Sequence, residues 1–167
     1  MSTQPRVCFV CLGNICRSPT AEGVFLSLLR AEELLDAVVV DSAGTASYHS
    51  GSPADARSRS HALKRGYELP SLARQFVAAD FDRFDFVLAM DAQNLRDLEL
   101  LRREHGGELA HLHLGIFRDF DATAPRGSSV PDPYYGGTAG FEEVIDQCER
   151  AARGLIEHLR PRLVRKP

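Results

Sequence analysis

At 167 residues, 44% of them hydrophobic and 26% charged, the chain has the size and composition of one ordinary globular domain, large enough to build a core without disulfide staples. A formal net charge of -3 excludes a general affinity for nucleic acid, since no basic excess exists to draw a phosphate backbone, so any phosphate chemistry must be local. No segment has the basic start and long apolar stretch of a secretory signal or the apolar length of a membrane span, and three of the four cysteines crowd into positions 8–16; a reduced, cytoplasmic protein without a membrane partner is expected.

Taken in chain order, Arg6 to Cys11 is a short apolar run with Val7, Phe9 and Val10, the pattern of a strand buried on both faces. A loop, Leu12 to Arg17, follows. Ser18 as N-cap and Pro19 at the first helical position then open a helix carrying Val24, Phe25, Leu28 and Leu29 at helical spacing. The pattern recurs with a strand at Ala37 to Asp41, a helix at Asp55 to Arg65 ending at Gly66, and a strand at Phe84 to Met90. Asp91 then caps a helix bearing Leu95, Leu98 and Leu101, Leu112 to Ile116 reads as a last strand, and Phe141 to Leu159 as a long amphipathic helix. Such alternation predicts a single α/β domain over 1–167, with a mostly parallel sheet, helices on both faces, a core of about 6–158 and a loose tail at 161–167. Two long loops, Ala46 to Pro53 and Arg118 to Gly140, are rich in Gly, Pro, Ser and Asp.

The segment Cys11-Leu-Gly-Asn-Ile-Cys-Arg17-Ser18 carries the strongest chemical signal. Cys-x5-Arg-Ser wraps one turn of backbone, Leu12, Gly13, Asn14, Ile15 and Cys16, around a small anion, with a thiol and a guanidinium at its two ends. Arg17 can bind two phosphoryl oxygens in a planar fork, and the helix that follows aims its unpaired N–H groups at the same point, a field that also favours a thiolate at Cys11. Gly13 and Asn14 are residues suited to the positive φ angles of a tight loop. In open α/β sheets ligands bind beyond the carboxyl ends of strands, where this loop lies.

Val10-Cys-Leu-Gly-Asn-Ile-Cys-Arg-Ser-Pro19 closely resembles the signature of the low-molecular-weight protein tyrosine phosphatases. Asp41-Ser-Ala-Gly-Thr45, Arg57, Ala73-Arg-Gln75, Met90-Asp91 with Asn94-Leu95, and Asp132-Pro-Tyr-Tyr135 follow in that family's order, covering roughly residues 6–158. The resemblance implies a four-stranded parallel sheet of Rossmann-like form and hydrolysis of aryl phosphates through a phosphocysteine. It also implies that Asn14 and Ser42 brace the loop and that the Ser18 hydroxyl stabilises the Cys11 sulfur. One departure falls at Ser71, where members of the family often carry a histidine that buttresses the loop. The stretch from His111 to Val130 matches poorly.

A thiolate attacking phosphorus must expel an oxyanion, which calls for a proton donor on the far side of the phosphate. Asp132 is the candidate, flanked by prolines in Val130-Pro-Asp-Pro-Tyr-Tyr-Gly-Gly137 where the family places its acid; read alone, the same segment is a turn. Leu12, Tyr48, Tyr134 and Tyr135 are candidate walls of a slot for a phenyl ring, or else plain surface side chains near turns. Asp91 either orients Arg17 or only caps its helix. Cys16, five residues beyond the nucleophile, is a candidate redox partner for Cys11.

No metal and no cofactor is expected. Cys8 and Cys11 lie three apart on one strand and face opposite ways, His111 and His113 could share a strand face but lack a clear third ligand, and Cys148 belongs in the core. The expected partner is a phosphotyrosine protein, such as a tyrosine kinase, or a small aryl phosphate, with phosphate or vanadate as inhibitors. Two other readings use the same loop: an arsenate reductase, which would need relay cysteines near residues 70–95 where this chain has none, and a noncatalytic phosphate or phosphotyrosine binder, which would need neither Cys11 nor Asp132.

Overall fold

The expected first strand forms as β1 (Arg6–Cys11), and its alternation decides the architecture. Val7, Phe9 and Cys11 enter one buried cluster, Cys8 and Val10 the other. Successive strand side chains point to opposite faces, so a strand apolar at nearly every position must be covered on both. The computed structural model describes residues 4–134 and 137–163.

β1 lies between β2 (Val39–Gly44) and β3 (Phe86–Ala89), with β4 (His113–Ile116) beyond β3, and every pairing in the order β2-β1-β3-β4 is parallel. One face is covered by α1 (Arg17–Ala31) and α4 (Thr138–Leu159), with Ala62 of α2 (Ala56–Lys64) joining them, and the other by α3 (Ala92–His105). The predicted four-stranded parallel α/β fold is therefore what forms. Phe9 anchors the larger face edge-on to Phe25 at 5.6 Å and to Phe117 at 4.9 Å, pairings that add to the area each ring buries. Cys148 is fully buried there, as expected.

Several boundaries differ from the sequence reading. The second strand begins at Val39 because Leu35–Ala37 coil into a 3-10 turn, and it continues to Gly44 because pairing with β1 runs on to Cys11. The third is limited to Phe86–Ala89. The last starts at His113, so His111 shares no strand face with it; His111 instead bonds the Phe81 carbonyl at 2.9 Å. The expected loop at 118–140 holds a 3-10 turn (Phe117–Phe120) and the first turn of α4. Of the expected tail at 161–167, the described part is ordered into a turn at Arg160–Arg162 with Leu163 packed on the core, and 164–167 lie outside the described residues.

From β1 the sheet extends to β2 on one side and to β3 on the other, which makes the carboxyl end of β1 a topological switch point. Gly44 closes β2 there, and a Cβ on it would stand 2.6 Å from the Leu12 carbonyl oxygen, so only glycine admits the following loop at this distance. Among the described residues no helix is long and apolar enough to cross a membrane.

Candidate active site

Between β1 and α1 the backbone forms a cup whose carbonyls are held outward. Leu12 O accepts from Ala46 N at 3.0 Å, Ile15 O from Asp55 N at 2.7 Å, and Cys16 O from the N–H and hydroxyl of Thr20. Across a trans peptide the next N–H points the opposite way, so the amides of Gly13, Cys16 and Arg17 turn inward. Asn14 adopts φ 57°, a left-handed conformation asparagine tolerates, and its N–H points at Cys11 Sγ from 3.2 Å. Gly13 does not share that conformation; its use is space, since a Cβ there would meet the His49 ring at 3.0 Å.

Behind the cup runs a buried polar network with a fixed direction. Glu22 Oε1 accepts from the hydroxyls of Ser42 and Ser71, each at 2.7 Å. With its hydrogen so committed, Ser42 Oγ accepts from Asn14 Nδ2 at 2.9 Å, and the second Asn14 hydrogen goes to Ser18 Oγ at 2.8 Å. Asn14 Oδ1 takes the Arg74 N–H at 3.0 Å, so both polar atoms of the side chain are bonded. The Ser18 hydrogen remains for Cys11 Sγ at 3.1 Å or the Ala43 carbonyl at 3.3 Å. Ser18 is thus no N-cap: the helix starts at Arg17, two residues before the expected Pro19, and the hydroxyl faces the sulfur. Burial raises the Glu22 pKa, partly offset by the bonds from Ser71 and Ser42. The hydroxyl of Ser71 joins this network where the family's histidine was missing.

Arg17 is buried, and its Nη1 donates to Asp91 Oδ2 at 2.6 Å and to the Val130 carbonyl at 3.1 Å. Both bonds pin one edge of the guanidinium. Burial opposes its charge, but Cys11, Asp91 and Asp132 outweigh it and the pKa is raised. Asp91 does both things considered for it, since its other oxygen accepts the Asn94 N–H at 2.7 Å and caps α3.

A cleft of about 330 Å³ brings together Cys11, Leu12, Arg17, Tyr48, Asp132 and Tyr134. Asp132 Oδ2 stands 3.9 Å from Arg17 Nη2, and its Oδ1 accepts the Tyr134 N–H at 3.0 Å. Tyr48 is 76% exposed and forms an outer edge. Tyr135 lies outside the described residues. Asn14, Ser18, Ser42 and Asp91 stand behind the cleft, whereas His49 also lines it, a residue whose only sequence signal was its place beside Tyr48 in a long loop. Glu22 gave no signal at all. Cys16 is buried in the loop and its pKa is pushed up to about 12, chiefly by burial. Among the described residues no group of three or more His, Cys, Asp or Glu could hold a metal ion.

Residues 6–165 match the family model described as low molecular weight phosphotyrosine protein phosphatase. The chain is 44% identical over 156 residues to a low molecular weight protein-tyrosine-phosphatase of Streptomyces coelicolor, covering 93% of each. It is 39% identical over 151 residues to the human low molecular weight phosphotyrosine protein phosphatase, covering 90% of this chain and 93% of that one. Among solved structures, the protein tyrosine phosphatase of Entamoeba histolytica with Hepes in its active site superposes with a TM-score of 0.83 at 40% identity, over 94% of this chain and 97% of the other.

Proposed function

Because the chain belongs to the low molecular weight phosphotyrosine protein phosphatase family and is a protein tyrosine phosphatase, we propose that it works through a phosphocysteine formed on Cys11. The observation that carries this reading is the position of Cys11 Sγ, which meets the Asn14 N–H and the Ser18 hydroxyl at the base of a cleft walled by Arg17 and Asp132. The thiolate attacks phosphorus as the phosphorus–oxygen bond to the leaving group breaks, and the Asp132 carboxyl gives its proton to the departing oxygen. Water then attacks the phosphocysteine, the Asp132 carboxylate takes its proton, and phosphate leaves with the thiolate restored. Arg17 and the inward amides hold the phosphoryl oxygens through both steps.

Leu12, Tyr134 and Tyr48 suit the walls and edge of a slot for a phenyl ring, with Tyr135 proposed by sequence alone. Phosphotyrosine proteins and small aryl phosphates are the substrates this favours, with phosphate and vanadate as competitors for the cup. A reducing cytoplasm would keep all four cysteines as the free thiols observed. The reaction itself needs only Cys11 in that form. Arsenate reduction is disfavoured because the chain has no cysteine between residues 16 and 148 to relay oxidation. We also propose a redox lock: peroxide converts the Cys11 thiolate to a sulfenic acid, and the Cys16 sulfur displaces water from it to form a disulfide.

The test is hydrolysis of para-nitrophenyl phosphate at mildly acidic pH without added metal. The parent turns over, whereas Cys11→Ser is folded, inactive and still binds phosphate. Appreciable turnover by that variant would remove Cys11 from the mechanism.

A further inference from the structure

Arg57, His61 and Arg65 recur at every fourth position and so share one face of α2 and its C-cap. That face meets the beginning of α4 and the segment before it. Arg65 pairs with Glu142, Asp146 and Glu149, and the His61 ring stacks on Phe141 at 5.3 Å with its Nδ1 2.8 Å from Glu142 Oε1. Arg57, the member nearest the cleft, lies with its Cζ 4.9 Å from the Phe141 ring centroid and 5.3 Å from that of Tyr134, within range for cation–π attraction.

Arg57 is also held from the opposite side. Its Nε and Nη2 each reach a different oxygen of Asp55 at 3.2 Å, and the Asp55 N–H donates to Ile15 O in the phosphate loop. The Tyr134 N–H, in turn, donates to the Asp132 carboxylate. A continuous line of contacts therefore runs from the phosphate loop through Asp55, Arg57 and Tyr134 to Asp132.

We propose that Arg57 is a positioning residue for proton transfer: it clamps Tyr134 and thereby fixes the Asp132 carboxyl at its working distance from the phosphate loop. The proposal rests on Asp132 being the general acid. Arg57 touches neither the thiolate nor the cup, so its loss acts on the leaving-group oxygen and leaves the binding of the anion alone.

The experiment compares phenyl phosphate, whose leaving group needs a proton, with 2,4-dinitrophenyl phosphate, whose leaving group does not. Arg57→Ala should lower kcat/KM, which reports the steps up to departure of the leaving group, about tenfold for the first, as expected for a misplaced catalytic group, and less than about twofold for the second, with vanadate inhibition unchanged. Arg57→Lys, which keeps a cation but not the fork to Asp55, should fall between parent and alanine. In an Asp132→Asn background, Arg57→Ala should cost nothing further on phenyl phosphate. Equal losses on both esters, or an additive loss in that background, would overturn the proposal. Asp132→Asn alone tests the reading beneath it: if its own loss ignores the leaving group, the acid assignment fails, whereas if it discriminates and Arg57→Ala does not, only the positioning role fails. Thermal melting of each variant confirms that folded protein is compared.

Discussion

Arg17 and Asp91 are joined by a 2.6 Å hydrogen bond from Nη1 to Oδ2, while the second oxygen of the same carboxylate accepts the N–H of Asn94 in the first turn of α3. One side chain therefore sets both the orientation of the guanidinium and the start of a helix.

These two tasks separate by substitution. Asparagine caps a helix about as well as aspartate but removes the charge that Arg17 is buried against, so Asp91→Asn should lower the melting temperature through the broken ion pair alone, and Asp91→Ala should lose about 1 kcal/mol more with the cap. Both should bind vanadate roughly tenfold more weakly, the value of one charge-assisted bond. Unchanged vanadate affinity in Asp91→Asn would reduce the residue to a cap.

Thiol chemistry should single out the nucleophile. Burial pushes Cys16 up to about 12, and Cys8 and Cys148 well above the ordinary thiol range, so all three stay protonated and shielded at neutral pH. Iodoacetate at pH 7 should alkylate Cys11 alone, and inorganic phosphate should slow the labelling. Mass-spectrometric mapping that finds Cys16 modified as fast as Cys11 would contradict this arrangement.

The proposed redox lock is read from recovery. Peroxide should inactivate the enzyme, dithiothreitol should restore it, and peptide mapping should find Cys11 joined to Cys16. Cys16→Ser should retain turnover but fail to recover. Full recovery in that variant would make Cys16 packing only.

Glu22 supplies a pH dependence whose sign can be worked out. Its folded pKa is raised above 4.5, so its contribution to stability is complete below 4.5 and is lost as pH rises through the folded value. Glutamine keeps an acceptor oxygen for the Ser42 and Ser71 hydroxyls without the charge. The melting temperature of Glu22→Gln should therefore gain on the parent between pH 4.5 and 7. A difference that stays constant over this range would show that Glu22 titrates as it does in the unfolded chain.

The sequence made the nucleophile half of the site legible because its parts are consecutive. Cys11, Arg17 and Ser18 come from one strand, one loop and one helix start, and apolar spacing located each of these within a residue or two. What stayed hidden depends on chain segments far apart. Glu22 looks like any charged residue on a surface helix until Ser42 and Ser71 close over it from β2 and a distant loop. The Arg57 stripe has helical spacing, but nothing in it names α4 as its partner. His111 and His113 suggested a shared face only under a strand boundary that the turn at Leu109–Leu112 shifts.

The two halves of the site also differ in how they come apart. Cys11 ends the strand paired on both sides and covered on both faces, so its amide should exchange with solvent only when the whole domain opens. Asp132 is carried on a segment tied to the sheet at Val130, with its side chain 44% exposed, and such segments open locally at far lower cost. In mild urea the molecule should therefore pass through a condition in which the cup still captures vanadate but proton delivery has already been lost.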